Sequence, residues 1–526
     1  MAKEIRSVPS KSISEYTVPE LLLQPGYIPK GFSSEEVDLS APATRYEIGE
    51  EPKLKLHYSI ITAPMQAVYS PELNVEAAKM GILAISHCSQ PIETQAKQRR
   101  EVRNRKAGFV TPDVVNPGML IGDLFNLSIE KGYSTFPVTK DGTLKTAMVG
   151  YITANDYDYE LHKSKRVKDR MIPREDVVVS YYEDIGEDPQ KADSILRDGH
   201  HGSMPILRKR GEPIVKWFPF VRKKDETIVY MVFKRDIEEH KKNPNALVDE
   251  QKRYIGGDAI NTRDYKERVP ALIEAGSKFL YITTSQAYSE YVAETLRFVQ
   301  KEFPGIPVGA GNIVTEEGFR FLVENGATCV GIGMGPGSIC ITREQIGVGD
   351  AQLTAILNVA KARDIYYKET GTYIPIWGDG GFSKPRHFVV GYVAGADGIM
   401  AGRAFAGTSE SPTEVNYKMS PPSKPYWGEG SKRARLWEEG VKDRYGHDVF
   451  EEGVEGWVEY VGPFTPYTER LVFTVKDGMR KGGCGTIPDA HENGVLIPIS
   501  EGALEEGRPH DINMNVPNKA TGISNG

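Results

Sequence analysis

The stretch from residue 278 to residue 333 reads KFLYITTSQAYSEYVAETLRFVQKEFPGIPVGAGNIVTEEGFRFLVENGATCVGIG. In it, three short apolar runs alternate with two amphipathic stretches. The runs are Lys278–Ser285, Ile306–Ile313 and Ala327–Gly333, and the amphipathic stretches are Glu290–Phe303 and Thr315–Asn325. Alternation of buried strands with helices is typical of βαβ units, so it predicts a parallel sheet.

The same rhythm continues on both sides of this stretch. Further strand candidates are Tyr58–Val68, Gly81–Ser86, Ile374–Gly381 and Asp397–Gly402, and further helix candidates are Ala351–Thr370 and Pro385–Ala394. At least seven strands with functional-looking residues at their carboxyl ends favour an α/β fold of the (β/α)₈ TIM-barrel type. An open, doubly wound sheet is the alternative.

The region from about residue 112 to residue 243 breaks the rhythm and holds a weak internal repeat. Its first copy comprises Gly132–Val138 and Val149–Asp156, and its second comprises Gly202–Ile206 and Ile228–Asp236. Repetition at this spacing indicates duplicated modules. They resemble a tandem CBS (Bateman) pair, which commonly binds adenine nucleotides; a structural insertion without a ligand is the alternative. The predicted domains are barrel at 1–111, CBS pair at 112–243 and barrel again at 244–526.

Composition narrows the class of protein. The chain has 526 residues and a net charge of −7, so it has no overall basic surface, and duplex nucleic acid is not expected as a main partner. Its four cysteines are scattered and form no CxxC pair, which argues against a disulfide framework or a zinc site and favours a reducing compartment. No signal-peptide core and no run of eighteen apolar residues is present. A cytoplasmic protein is therefore expected.

A polar, glycine-rich and charged stretch runs from about residue 411 to residue 463. A long segment of this kind on a barrel is often a mobile lid. A disordered surface loop is the alternative, but four large aromatics count against it: Tyr426, Trp427, Trp437 and Trp457. The last forty or so residues predict a loosely folded tail.

The strongest chemical motif is GIGMGPGSICITREQ, from Gly331 to Gln345. Its glycines let the backbone approach a ligand and offer N–H groups to a phosphate. Cys340 follows the last of these glycines by three residues and could face the rest of the same ligand as a nucleophile. Arg343 could stabilise its thiolate. The other cysteines are interpreted as small buried hydrophobes.

Two further glycine turns could complete a phosphate site. Asp379-Gly380-Gly381 follows one strand candidate and Gly402-Arg403 follows the next. In a barrel, the loops after the seventh and eighth strands often hold phosphate near a helix N-terminus. Asp379 is then placed to accept hydrogen bonds from a ribose diol. Each turn alone is equally compatible with an ordinary strand-to-helix connection.

Several stretches together resemble one known family. They are GSICITREQ, the DGG turn, GADGIMAGR, SESP, the segment Ile260–Gly276 and YWGEGSKRAR…FEEGV. All are similar to the IMP dehydrogenase/GMP reductase family, over nearly the whole chain including the CBS pair. The lid region is most similar to IMP dehydrogenases of the protozoal and clostridial type.

The resemblance implies a reaction and a set of residues. Cys340 would attack C2 of the hypoxanthine of IMP, hydride would pass to NAD, and water would release XMP. Thr342 would position water or ammonia. The implied substrate contacts are Ser338, Gly380, Gly381, Gly402 and Arg403 at the phosphate, Asp379 at the ribose, and Met65 and Glu452 at the base.

The resemblance also implies cofactor and cation sites. Arg263 and Tyr291 would sandwich the adenine of NAD, and the remaining cofactor candidates are Thr283, Gly333, Gly335 and Arg343. The carbonyls of Gly335, Gly337 and Cys340 would bind a monovalent cation, usually potassium. The family assembles as tetramers or octamers.

Three departures from the family pattern stand out. Thr283 occupies the place of an Asp that bonds the nicotinamide ribose. Glu439-Gly440 stands where the lid has an Arg-Tyr pair, the Arg acting as base toward water. A pair of this kind, Arg444-Tyr445, occurs five residues later and is a candidate replacement. The segment Glu505–His510 only partly resembles the family's C-terminal half of the cation site.

Four functions therefore remain open. IMP dehydrogenase leads. A GMP reductase-like enzyme would remove an amino group with NADPH, with Thr342 and Glu410 handling ammonia. Related chemistry on a modified purine nucleotide is a third reading, and a catalytically silent nucleotide sensor is the fourth.

Overall fold

The computed structural model describes residues 16–105, 108–131, 133–177, 179–186, 188–198, 200–201, 204–205, 217–436, 450–510 and 512. The chain divides into two compact units. The first comprises Met1–Val102 and Ile255–Gly526, and the second comprises Arg103–Tyr254.

Eight parallel strands of the first unit close into a barrel. In chain order they are β1 (Ile60–Thr62), β2 (Leu83–Ser86), β3 (Gly257–Ile260), β4 (Leu280–Thr283), β5 (Val308–Ile313), β6 (Cys329–Ile332), β7 (Ile376–Asp379) and β8 (Gly398–Ala401). The ring is closed by β8, which pairs with β1 through Ile399 opposite Ile60. This closure confirms the (β/α)₈ barrel and excludes the open sheet.

Helices follow the strands in the expected alternation. They are α1 (Pro71–Lys79), α2 (Ile92–Arg103), α3 (Tyr265–Glu274), α4 (Glu290–Glu302), α5 (Glu316–Glu324), α6 (Thr342–Ile346), α7 (Gln352–Thr370), α8 (Pro385–Val393), α9 (Arg403–Ala406) and α10 (Phe464–Lys481). Local chemistry sets their ends. For example, the Thr315 hydroxyl accepts the Gly318 N–H at 3.1 Å and caps α5.

Strand β3 is not predicted by the apolar pattern of the sequence. It contains Asp258, a charged residue that is fully buried. The Arg99 guanidinium donates to both carboxylate oxygens of Asp258, at 2.8 and 3.0 Å, and the Ser86 hydroxyl adds a bond of 2.7 Å. A buried charge is tolerated when it is paired and hydrogen-bonded in this way, so the strand does not need an apolar sequence.

Aromatic side chains fill the barrel interior. The rings of Tyr281 on β4 and Trp377 on β7 stack with centroids 5.7 Å apart, and both residues are buried. Glycines on the neighbouring strands provide the room, because a Cβ at Gly309 or Gly331 would overlap the Tyr281 ring or hydroxyl. The barrel is a packed core and not a pore.

Further short elements complete the first unit. Antiparallel pairs join Leu21–Leu23 to Leu496–Pro498, Ala41–Pro42 to Lys55–Leu56, and Tyr46–Glu47 to Thr372–Tyr373. Strands β9 (Ser423–Trp427) and β10 (Glu455–Glu459) form an antiparallel pair within the predicted lid. The remaining helices are Val18–Glu20, Ser34–Glu36, Lys432–Leu436, Ile487–Asn493 and Glu501–Glu506.

The second unit spans Arg103–Tyr254, and within it Phe109–Val110 pairs with Ile228–Phe233. Its other strands are Thr135–Thr139, Met148–Thr153, Ile172–Pro173, Ser180–Tyr181, His200–His201, Met204–Pro205 and Trp217–Val221. Its helices are Ile121–Lys131, Ala154–Asp156, Tyr159–His162, Val167–Asp169, Arg174–Asp176, Tyr182–Ile185, Pro189–Asp198 and Lys234–Lys242.

The pairing of these strands changes the alignment of the repeat. Thr135–Thr139 pairs with Met148–Thr153, as expected for the first copy. In the second copy the partner of Ile228–Phe233 is Trp217–Val221, while Met204–Pro205 pairs with His200–His201. Strand pairing therefore gives Trp217–Val221 the place in the second copy that Thr135–Thr139 has in the first. Gly202, Ser203 and Ile206 of the predicted second copy lie outside the described residues.

Within the part of the chain that is described, none of the helices is long and apolar enough to cross a membrane.

Candidate active site

The loops at the carboxyl ends of the barrel strands enclose a cavity of about 630 Å³. All eight strands run parallel, so their carboxyl ends meet on one face. The wall comprises Ala63–Met65, Asn261–Arg263, Thr283–Ser285, Asn312, Gly333–Cys340, Thr342, Asp379–Ser383, His387, Ala401–Arg403, Tyr426, Gly428–Gly430 and Glu452, with Pro19 beside them.

A short hydrogen-bonded chain starts at the predicted nucleophile. The Cys340 Sγ lies 3.2 Å from the Thr342 hydroxyl, which in turn donates to a carboxylate oxygen of Glu452 at 3.1 Å. Cys340 is partly exposed to the cavity, whereas the other three cysteines are buried. The structure thus brings together a thiol, a hydroxyl and a carboxylate that can accept a proton.

The backbone of the lid is fixed to the cysteine loop at the same place. Cys340 and Gly453 form an isolated antiparallel bridge, with the Ile341 N–H donating to the Glu452 carbonyl at 3.0 Å and the Val454 N–H to the Ile339 carbonyl at 2.9 Å. This bridge positions the Glu452 side chain against Thr342, although 110 residues separate the two in sequence.

Asp379 ends β7 at the floor of the cavity. Burial raises the pKa of its carboxyl to about 6, and the hydrogen bond from the Asn312 side-chain amide, at 2.8 Å, acts in the opposite direction. Gln352 fixes the backbone there by donating to the Asp379 and Ile332 carbonyls at 3.0 and 2.9 Å. A carboxylate held in this way at the cavity wall is suited to accept hydrogen bonds from a diol.

The predicted phosphate residues belong to the cavity wall. They are Ser338, Gly380, Gly381, Gly402 and Arg403. Gly380 and Gly381 both have φ of +85°, a conformation that favours glycine. A Cβ at Gly402 would lie 2.8 Å from the Met65 Sδ, so glycine is also required there by space.

The lid is anchored beside the cavity through Glu429. One of its carboxylate oxygens accepts the Gln66 N–H at 2.6 Å, and the other accepts the Ser89 hydroxyl. The buried Trp427 indole donates to the Gln66 side chain at 3.0 Å, and the Arg433 guanidinium lies 4.2 Å from the centre of the Trp427 ring system. These contacts give the start of the lid a defined position on the barrel.

Of the predicted site residues that the structure describes, three are not part of the cavity wall. The Arg343 Nε donates to the Met334 carbonyl, so this side chain is hydrogen-bonded to the backbone of the cysteine loop and does not line the cavity. The Glu410 carboxylate accepts the Phe464 N–H at 2.8 Å and so occupies the N-terminus of α10. Tyr291 lies in the first turn of α4 with 71% of its surface exposed.

The other predicted residues fall into two groups. Met65, Arg263, Thr283, Gly333, Gly335 and Gly337 line the cavity. Arg444 and Tyr445, with Trp437 and the Glu439-Gly440 pair, lie outside the described residues.

Asn312 and Glu429 are site residues that the sequence analysis does not predict. Asn312 lies near the end of a strand that had been found, and a polar side chain at the carboxyl end of a barrel strand is a usable signal. Glu429 lies in the YWGEGS motif that had been noted for its resemblance alone.

A closed parallel barrel whose carboxyl-end loops bring a partly exposed cysteine, a carboxylate and glycine turns into one cavity has the architecture of a barrel enzyme. The chain belongs to the IMP dehydrogenase / GMP reductase family, whose domain model matches residues 15–510.

Curated relatives and solved structures agree with this assignment. Inosine-5'-monophosphate dehydrogenase of Tritrichomonas foetus is 36% identical over 503 residues, which cover 94% of this chain and 96% of the relative. The enzyme of the same name from Aquifex aeolicus (strain VF5) is 32% identical over 96% of this chain and 97% of its own. A solved GMP reductase from Trypanosoma brucei, in complex with guanosine 5'-monophosphate, aligns with a TM-score of 0.74 and 25% identity, covering 96% and 99% of the two chains.

Proposed function

We propose that this protein is an IMP dehydrogenase, which oxidises IMP to XMP with NAD in the synthesis of guanine nucleotides. The names of the curated relatives support the reaction. The observation that carries it is the contact chain from Cys340 through Thr342 to Glu452 at the wall of the cavity.

The reaction proceeds in two steps at Cys340. The thiolate adds to C2 of the hypoxanthine, and the hydrogen on C2 leaves with its electron pair as hydride, so that a thioimidate remains on the sulfur. Water then adds to C2, the thiolate is expelled and a proton is released. Glu452 can take up that proton through the Thr342 hydroxyl, because the two side chains are already hydrogen-bonded.

The nucleotide is held from two directions. Asp379 accepts the ribose hydroxyls, with Asn312 keeping the carboxylate in place. Ser338, the glycine turns at Gly381 and Gly402, and Arg403 bind the phosphate at the other end. Met65 lies against the base side, where its sulfur is 3.8 Å from the Tyr426 hydroxyl.

NAD supplies the hydride acceptor when it is bound. Arg263 and Thr283 line the cavity and are the residues proposed to hold it, Thr283 contributing a hydroxyl where the family has a carboxylate. A monovalent cation, proposed to be potassium, would be held by the carbonyls of Gly335, Gly337 and Cys340. Gly335 has φ of +77°, which turns the loop sharply at this place.

A GMP reductase-like activity with NADPH is the second candidate. The solved GMP reductase of similar architecture favours it, as does the Glu439-Gly440 pair where the lid would carry an Arg-Tyr pair. The same Cys340 and Thr342 would serve the reductive removal of ammonia.

Further proposals concern the rest of the molecule. The second unit is proposed to be a CBS pair that binds an adenine or guanine nucleotide, supported by its two strand pairs each followed by a helix.

A homotetramer, or an octamer joined through this unit, is proposed from the family. A cytoplasmic location is supported by four cysteines that are all free thiols.

The test is nicotinamide absorbance with the purified protein under two conditions. IMP with NAD and potassium should give a rise at 340 nm, and replacing potassium with a larger organic cation should suppress it. A fall with GMP and NADPH, without a rise in the first assay, would replace the dehydrogenase with the reductase. No change in either assay would refute both.

A further inference from the structure

The first turn of helix α8, which follows the Gly380-Gly381 turn, carries an unusual set of charges. Lys384 precedes the helix and Arg386 lies within its first turn, which contains no acidic residue. The N-terminus of a helix carries partial positive charge and favours anions, so two cations there are unfavourable in the absence of a ligand.

These cations are not neutralised by the protein. Among the described residues, no ion pair involves Lys384, Arg386 or Arg403. Burial lowers the pKa of Lys384, and Arg386, Arg508 and Arg403 lower it further; burial and Arg508 lower the pKa of Arg386. Lys384 is therefore close enough to the three arginines to be repelled by them, and Arg386 is close enough to Arg508. Of these four cations in the described part of the chain, only Arg508 has an acidic partner, Glu505 at 2.6 Å.

A buried histidine adds a donor without an acceptor at the same place. His387 lines the cavity and is 5% exposed. Its Nδ1 accepts the Ser383 N–H at 3.3 Å, so the neutral ring carries its proton on Nε2. Nε2 makes no hydrogen bond of normal geometry in the described part of the chain, and the Gly381 carbonyl acts on the ring only as a weak acceptor that raises its pKa. An unpaired buried donor is costly unless a ligand atom satisfies it.

We propose that Lys384 and Arg386, with His387, form a second phosphoryl subsite that adjoins the 5'-phosphate end of the substrate cavity. The subsite would take the β-phosphate of a purine nucleoside 5'-diphosphate, or a free phosphate bound beside the nucleotide. This inference rests on the proposed function, because it places a purine nucleotide in that cavity.

Charge and position both favour this ligand. A monophosphate carries roughly 1.5 to 2 negative charges, which Arg403 and the helix N-terminus already address. Lys384 and Arg386 then remain in excess, and a second phosphoryl group would neutralise them. Arg386 also donates to the carbonyl of Pro19 at 3.5 Å, and Pro19 lines the cavity, so the side chain lies at its edge.

The test measures displacement of labelled IMP from the full-length protein. NAD is left out so that IMP is not turned over, and only nucleotide that competes with the labelled IMP changes the signal. Unlabelled inosine 5'-diphosphate should displace the label at a concentration at least tenfold lower than unlabelled IMP. In the double variant Lys384→Gln/Arg386→Gln this advantage should disappear, while IMP affinity changes less than about threefold. Lys361→Gln/Lys368→Gln removes the same charge from exposed positions on α7 and should change neither value.

A parallel titration with inorganic phosphate distinguishes the two sources. Phosphate that tightens IMP binding in the wild type, and not in the double variant, identifies a free anion as the occupant. If the diphosphate has no advantage and phosphate no effect while IMP binds normally, the subsite is refuted alone. If labelled IMP does not bind at all, the proposed function fails and this inference fails with it.

Discussion

The side-chain amide of Asn312 donates a hydrogen bond of 2.8 Å to the carboxylate of Asp379, across the carboxyl ends of β5 and β7. The bond stabilises the ionised form of a carboxyl whose pKa burial has raised to about 6. The hydrogen bond from Asn312 thus favours the ionised form of Asp379, which burial disfavours.

Replacing Asp379 by asparagine, which removes its negative charge, should stabilise the protein and weaken nucleotide binding. A folded-state pKa above the unfolded value of 3.8 means that stability is lost as pH rises from about 4 through about 6. Asp379→Asn has no carboxyl to ionise, so it avoids this loss of folding free energy, which amounts to up to about 3 kcal/mol. We therefore expect its apparent Tm to be about 2–4 °C higher than that of the wild type at pH 8 and unchanged near pH 4. Differential scanning calorimetry at the two pH values measures this.

The same variant should bind IMP at least about 100-fold more weakly at pH 8, because a neutral amide is a poorer acceptor for two ribose hydroxyls. In the wild type, affinity should also fall as pH drops through about 6, beyond the fall seen in Asp379→Asn, in which only the phosphate titrates. Equal pH profiles for the two proteins would contradict the assignment of Asp379 to the ribose.

Cys340→Ser should reduce turnover by at least about 1000-fold and leave IMP affinity within a few fold, because a serine hydroxyl remains protonated at neutral pH. Steady-state absorbance and IMP titration measure the two quantities. Cys484→Ala, at a buried thiol outside the cavity, is the matched control and should retain activity. Unchanged turnover in Cys340→Ser would remove the thiol mechanism.

Glu452→Gln should lower kcat by about 10- to 100-fold with little change in the KM for IMP, because the amide cannot take up the proton that passes through Thr342. Thr342→Val should have a comparable effect. In the double variant the two losses should not add, since both interrupt the same contact chain. Additive losses would indicate that the two side chains act separately.

Arg444→Ala should slow release of XMP and cause the covalent Cys340 adduct to accumulate, if Arg444 is the base that replaces the lid Arg-Tyr pair. Intact-protein mass spectrometry under turnover detects the adduct, and the neighbouring Lys442→Ala provides a charge-matched control. A steady-state rate unaffected by Arg444→Ala would remove this residue from the mechanism.

Gly309→Ala should destabilise the barrel by about 1–3 kcal/mol, because the added methyl would lie 2.8 Å from the Tyr281 ring and would overlap the Cys329 Sγ. Thermal unfolding measures the shift. Gly305→Ala adds the same methyl where no atom lies within 4 Å and should leave Tm nearly unchanged. Equal shifts in the two variants would mean that packing inside the barrel is not the cause.

The elements that could be predicted from sequence are those whose apolar pattern is uninterrupted. Helices α4 and α5 and strands β4 to β6 lie within one or two residues of their predicted ends in most cases. Strand β3 escaped because its Asp258 is stabilised by Arg99, a residue 159 positions away. A pattern read along the chain contains no information on such a partner.

The candidate site also contains residues that could be predicted from sequence and residues that could not. The glycine turns and Cys340 were found because their local sequence is distinctive. The roles of Glu410 and Arg343 depend on which backbone atom each side chain reaches, Phe464 N–H and Met334 carbonyl, and so could not be deduced from residue type. Likewise, nothing in the local sequence of the second unit indicates that Ile228–Phe233 pairs with Trp217–Val221.

The bridge between Cys340 and Gly453 has a consequence for how this lid can change over evolution. Gly430 accepts the Glu452 N–H at 3.2 Å, so both ends of the intervening segment are attached to the barrel beside the reacting sulfur. The entropic cost of lengthening a loop with fixed ends grows only logarithmically, so insertions there are inexpensive and leave the nucleophile undisturbed. A change in the length or in the side chains of this segment would thus leave the bridge between Cys340 and Gly453 in place.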